Sequence, residues 1–136
     1  MGQKVNPHGL RVGVIKDWDS RWYAANEKVG DLLVEDKKIR YYLKKTLYGA
    51  GIPKIEIERD NAKVRVYLHC ARPGVVIGKG GEDIKKVEAQ LVKLTGKPVD
   101  LKIVEVRDTD TNAQLVAENI AQQLEKRIGF RRAMKN

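Results

Sequence analysis

One cysteine, Cys70, in 136 residues leaves no disulfide framework within the chain and points to a reducing compartment. The two histidines, His8 and His69, lie far apart in unlike contexts. With a single thiol they form no metal constellation. No apolar run approaches the ~20 residues that cross a bilayer. The opening MGQKVNPHGLRVGVIK has no apolar signal-peptide core. Asn6 stands where a myristoylation signal needs Ser or Thr. The expectation is a soluble cytoplasmic protein with no membrane partner. Acids are missing from both ends. The first sixteen residues carry Lys4, Arg11 and Lys16, and the last eleven carry Lys126, Arg127, Arg131, Arg132 and Lys135.

What is present is a foldable and strongly basic chain. Hydrophobic residues make up 42%, too many for a disordered segment. The length suits one ordinary domain, or a small domain with arms. The formal net charge of +9 calls for a polyanionic partner. Basic ends around a nearly balanced middle suggest arms lying on a nucleic acid. The middle has one basic excess of its own: Lys37, Lys38, Arg40, Lys44 and Lys45.

Residues 1–16 read as an extended arm, with Pro7, Gly9 and Gly13 as breakers. Trp18, Trp22 and Tyr23 follow. Such rings either stack on bases or pin an arm to a domain surface, the commoner use. Residues 28–48 read as a helix with two apolar stripes that do not join smoothly across Glu35 and Asp36, which suggests a bend there. KIEIER and KVRVYLH alternate on either side of Asp60-Asn61, a hairpin of half-buried strands. Pro73 opens a helix of about one turn before Gly78. From Glu82, the positions Ile84, Val87, Leu91 and Leu94 give a second helix. VDLKIVEV alternates again. The last helix carries a stripe from Ala113 to Ile128 and a cap at Asp110 or Thr111.

A strand, a helical crossover and a strand pair in parallel, while the hairpin partner adds antiparallel. The expected fold is α+β: a small mixed three-stranded sheet with helices on one face, an extended basic N-terminal arm and a C-terminal helix.

The stretch GVVIGKGGEDI, Gly74 to Ile84, holds four glycines within eight residues. It is not a nucleotide P-loop. Gly74 and Gly78 enclose three residues rather than four, and Lys79 is followed by Gly80, which has no hydroxyl for magnesium. It is not a dinucleotide fingerprint either, because Asp83 stands at the third glycine position and no strand precedes. A plain helical corner needs one glycine, whereas Gly78, Gly80 and Gly81 put three within four residues. Gly78-Lys79-Gly80-Gly81 between two short helices fits the Gly-x-x-Gly clamp of KH domains, which grips a nucleic-acid backbone. The helix and strand placed ahead of it resemble the type II KH arrangement.

MGQKVNPHGLRVG at the start, ARPGVVIGKGGEDI in the middle and QLEKRIGFRRAMK near the end together resemble the bacterial small-subunit ribosomal protein family uS-three, over nearly the whole chain. The resemblance implies a structural constituent of the small-subunit head that binds small-subunit ribosomal RNA. It also implies contact with messenger RNA at the entrance channel and with neighbouring head proteins, the tenth and fourteenth. It assigns RNA binding to Gly78, Lys79, Gly80, Gly81 and Arg72 of the central motif. Lys4 and Arg11 of the arm, and Arg131, Arg132 and Lys135 facing the message, complete the set. The organisation it implies is an RNA-binding arm at 1–16, a type II KH domain at 17–107, and at 108–136 the start of a C-terminal domain that is cut short. The stripe from Ala113 would then lack its usual cover.

No catalytic or metal-ligating set is expected, nor any cofactor or small-molecule substrate. His69 and Cys70 are adjacent on a strand and point to opposite faces. Glu56 and Glu58 suit cross-strand pairing better than acid–base work. The main alternative is a free KH regulator reading single-stranded RNA, and a nucleotide-hydrolysing enzyme is the other-class reading.

Overall fold

The computed structural model describes residues 2–135, with the side chains of residues 26 and 27 left aside. The alternating segments form a hairpin of β2 (Lys54–Arg59) and β3 (Val64–Cys70), antiparallel, with Ile57 opposite Val66. The expected crossover runs through α3 (Pro73–Ile77) and α4 (Glu82–Thr95) to β4 (Val99–Glu105). β4 lies parallel to β3, with Leu101 opposite Val66. Sequence alternation thus sets which face is buried. Ile55, Ile57, Val64, Val66, Leu68, Cys70 and Leu101 point into one core with Val76, Val87 and Leu91 from the crossover helices. Each fully buried aliphatic side chain contributes about 1.5–3 kcal/mol.

The sheet has four strands rather than three, in the order β1-β2-β3-β4. β1 is only Ser20–Arg21, parallel to β2, with Ser20 opposite Ile57. Two residues are too few to show alternation, so no sequence signal marks them. On the open face, Arg21 Nη2 lies 2.8 Å from Asp17 and Lys54 Nζ 2.6 Å from Glu56. Tyr67 donates to Glu58 at 3.2 Å. Glu56 is held below the ordinary carboxylate range. Burial works the other way, and the Lys54 hydrogen bond and charge, with Arg21 and His69, outweigh it.

The helix before the hairpin, α2 (Asn26–Thr46), is continuous, so the bend expected at Glu35 and Asp36 does not form. The stripe in fact runs unbroken through Leu32, Asp36, Ile39, Leu43 and Leu47, at steps of four, three, four and four. Asp36 occupies a core position as a carboxylate, only 3% exposed. It accepts hydrogen bonds from Ser20 Oγ and Trp22 Nε1, both at 2.8 Å, and from Arg59 Nε at 3.0 Å and Nη2 at 2.5 Å. Arg59 reaches Glu35 as well, at 2.8 Å. Burial alone would lower the Arg59 pKa, but the hydrogen bonds it donates to Glu35 and Asp36, and their charges, raise it above its ordinary value.

The arm is not extended. Asn6 caps a single turn, α1 (Pro7–Arg11), by accepting from His8 N at 2.9 Å, with Pro7 at the first position. Gly13, at φ +81°, then closes a turn in which its N–H bonds Lys16 O at 2.9 Å. Of the three rings, Trp22 does the pinning, while Trp18 and Tyr23 are exposed.

The last helix, α5 (Ala113–Glu125), is capped by Asn112, whose side chain accepts from Gln114 N and Leu115 N, rather than by Asp110 or Thr111. It docks through Lys44 Nζ to Glu118 at 2.5 Å and through Leu115 against Gly51. Its apolar stripe stays open: no α5 residue is buried, and Val116 and Leu124 are exposed. A short α6 (Phe130–Ala133) follows and buries Ala133. Leu94 of α4, expected in the core stripe, is also exposed, in the last full turn before Gly96 ends the helix.

Removing one partner of a buried pair leaves an uncompensated charge, so Asp36→Ala is expected to cost about 3–5 kcal/mol in urea unfolding. The double change Asp36→Leu with Arg59→Met should recover much of that loss. Equal instability of the single and double variants would show that the pair is not what holds this corner.

Candidate nucleic-acid interface

The glycine loop is built by two helices that meet at a corner. Arg72 N donates to Ala50 O at 3.1 Å and Ala71 N to Gly51 O at 2.9 Å, which fixes the end of β3 before α3 begins. Val76 anchors α3 in the core and leaves Val75 and Ile77 exposed. Gly78 N bonds Gly74 O at 3.1 Å and closes the turn.

Gly78 has φ +70° and ψ −173°, a region open essentially to glycine alone. A Cβ there would also stand 2.2 Å from Asp83 Oδ2. Gly80 (φ +65°) and Gly81 (φ +78°) take successive left-handed conformations through the 3-10 turn Lys79–Gly81. Added Cβ atoms at these two positions would meet nothing within 4 Å. The loop surface is therefore bare at Gly80 and Gly81, where another backbone has room to approach.

Lys79 is exposed and makes no ion pair among the described residues. α4 starts from Gly81 with no side-chain cap, so its first turn keeps amide donors for a ligand. Glu82 and Asp83 sit in that turn, and Asp83 is partly neutralised by Lys86 at 3.1 Å. Gly74, Val75, Gly78, Lys79, Glu82 and Asp83 line a shallow depression. A backbone phosphate fits this arrangement: amides, one cation and no bulk above the glycines.

Other residues assigned from sequence lie elsewhere. Arg72 sits at the opposite end of α3, lining a cleft with Thr109, Asp110 and Leu115. Lys4 and Arg11 are exposed on the arm, and Arg11 Nη1 spends a donor on Pro7 O at 3.2 Å. The arm faces the start of α5 across a cleft lined by His8, Lys16, Trp18 and Asn112. Arg131 and Arg132 are exposed on α6 and Lys135 just beyond it, with the Arg131 guanidinium 5.9 Å from the Phe130 ring centre. Gly78 through Gly81 form one corner, and Arg131, Arg132 and Lys135 lie together at the end of the chain.

One residue escaped sequence reasoning. β4 is an edge strand, and Glu88 of α4 reaches over it, its Oε1 accepting from Leu101 N at 3.3 Å. A half-buried acid on a helix carries no sequence mark of such a role.

Cys70 is fully buried, and burial, with Glu105, pushes its thiol up. His69 lies on the other face, 3.7 Å from Glu56. The two adjacent side chains do not form a thiol–imidazole pair. Among the described residues, no group of three or more His, Cys, Asp or Glu is placed to hold a metal, and no helix is long and apolar enough to cross a membrane.

A crossover of two short helices joined by this glycine loop, inside a mixed sheet with a helix and strand placed ahead, defines a KH fold. The KH domain family matches residues 38–111, more than half of the chain, and the chain belongs to that family. It is also similar, along its whole length, to curated relatives named small ribosomal subunit protein uS3. The one from Clostridioides difficile (strain 630) is 63% identical over 136 residues, which cover 99% of this chain and 50% of the relative. Those from Agathobacter rectalis and Clostridium perfringens (strain SM101) are 62% and 60% identical, covering 62% and 61% of the relatives. The chain thus spans between half and under two thirds of the relatives it matches. The resemblance carried by the two terminal motifs and the central one is borne out by these names.

Gly78→Ala combines a glycine-only backbone with a clash at Asp83 and is expected to cost about 2–3 kcal/mol. Gly80→Ala, left-handed but unobstructed, should cost about 1 kcal/mol. Thermal unfolding of the two variants checks the ranking; equal losses would show that neither the Gly78 backbone nor the Asp83 contact constrains that position.

Proposed function

We propose that this chain is part of a structural protein of the small ribosomal subunit that binds small-subunit ribosomal RNA and performs no catalysis. The observation that carries the reading is the loop at Gly78–Gly81, bare above two left-handed glycines and flanked by uncapped amides and Lys79. The relatives' names supply the ribosomal setting. In this reading the protein works in the cytoplasm within the subunit head, beside the tenth and fourteenth head proteins, and helps to form the messenger entrance.

The residues proposed to touch RNA are those of the loop, Arg72, Lys4 and Arg11 of the arm, and Arg131, Arg132 and Lys135. Residues 1–16, 17–107 and 108–136 are proposed as arm, KH domain and the beginning of a further unit. The free-regulator reading needs an open groove beside the loop for base recognition. Glu88 works against it, because its carboxylate already occupies an edge amide of β4 and brings negative charge to that side.

Binding to small-subunit ribosomal RNA should weaken steeply with salt, because phosphate contacts release counterions. Lys79→Asp with Gly80→Asp should lower the affinity about tenfold, since two acids then face the phosphates. Filter binding at several salt concentrations measures both effects, and salt-insensitive binding would remove the phosphate-clamp reading.

A further inference from the structure

We propose a second RNA-binding surface on the solvent face of α2, formed by Lys37, Lys38, Tyr41 and Lys45, that takes an unpaired stretch of RNA with a base stacked on Tyr41. It rests on the RNA-binding reading above and adds a site distant in sequence from the glycine loop and from both basic ends.

From Lys37 to Tyr48 the chain has five basic residues and no acid. The structure divides those five. Arg40 turns inward and donates to Asp19 O and Ser20 Oγ at 2.9 Å, and to Ile55 O. Lys44 holds Ile52 O and the Glu118 carboxylate. Both are spent on the fold.

Lys37, Lys38 and Lys45 are exposed and form no ion pair among the described residues. The nearest acids on the helix, Glu35 and Asp36, are both held by Arg59. Among the described residues, no ion pair offsets the three charges.

Geometry gathers them round a ring. Lys37, Tyr41 and Lys45 follow one another at steps of four, and Lys38 lies three before Tyr41, so all four share a face. Each step of four advances ~6 Å along the helix. Tyr41 is 68% exposed, and the Lys45 ammonium lies 6.0 Å from its ring centre. Cations one turn to either side of an exposed aromatic are the pattern that single strands use, phosphates on the charges and a base on the ring. A duplex keeps its base faces stacked inside and offers none to Tyr41. An acidic protein surface would meet the lysines and leave the ring idle.

The test uses the 136-residue chain with a fluorescent oligouridylate and an RNA duplex of equal length, read by anisotropy over a salt series. Circular dichroism confirms that each variant is folded. Lys37→Gln with Lys38→Gln and Lys45→Gln should weaken oligouridylate binding and flatten the log–log salt slope by about 2. Tyr41→Ala should weaken it by about fivefold or more, and Tyr41→Phe should keep parental affinity.

If the lysine variant keeps parental affinity and slope while Lys79→Asp with Gly80→Asp loses binding, the clamp stands and the α2 surface is overturned. If the lysine variant weakens binding but Tyr41→Ala does not, and the duplex binds as tightly, the stacked single strand is overturned. If the parent binds neither RNA, this proposal and the RNA-binding reading fall together.

Discussion

The Arg59 guanidinium, clamped between Glu35 and Asp36, is the contact on which the layers of this protein depend. It joins the end of β2 to the middle of α2. Asp36 then draws in Ser20 and Trp22, so the segment leaving the arm is tied to the same point. One carboxylate therefore sets the register of a helix, a strand and the short edge strand β1. The burial of Asp36 is tolerable because its acceptor positions are filled, as a buried charge requires. The pairing also decides what α2 can show to solvent. By holding Glu35 and Asp36 of that helix, Arg59 leaves the turns that follow them with positive charge alone.

Sequence pattern reached the sheet core and the loop because both obey strict local rules. Alternation at Ile55, Ile57, Val64, Val66 and Leu68 allows one buried face, and the pairing follows. Three glycines within four residues mark backbone conformations that other residues avoid, and each of those glycines has positive φ. The arm and the helix bend were misread for a different reason. Asn6 and Pro7 form a capped start that fits a helix, yet the glycines around them read as breakers. Asp36 reads as an interruption of an apolar stripe unless Arg59, twenty-three positions away, is known to meet it. Long-range polar satisfaction leaves no periodic trace, and β1 and the reach of Glu88 share that property.

The candidate site divides along the same line. Residue type and spacing located Gly78–Gly81, because the constraint is in the backbone. They located Arg72, Lys4, Arg11, Arg131, Arg132 and Lys135 only through family resemblance and charge. The fold separates Arg72 from the loop by the length of α3. A positive charge in a sequence says that an anion is wanted, without saying whether that anion is a phosphate outside or a carbonyl and carboxylate inside.

That ambiguity is largest at the basic run of α2, where the fold divides the charges. Five cations look alike in sequence, yet two of them are structural. Arg40 and Lys44 satisfy carbonyl oxygens at Asp19, Ile52 and Ile55 and one carboxylate at Glu118. Such interior bonds are short-range and weakly screened, whereas exposed lysines act through a field that salt attenuates within ~10 Å. Charge at the loop, the ends and α2 thus forms a discontinuous set of small patches on a domain whose open sheet face is internally neutralised. A long polyanion that folds back on itself can satisfy such a set in several places at once. A short ligand would engage one patch only, and its affinity would report on that patch alone.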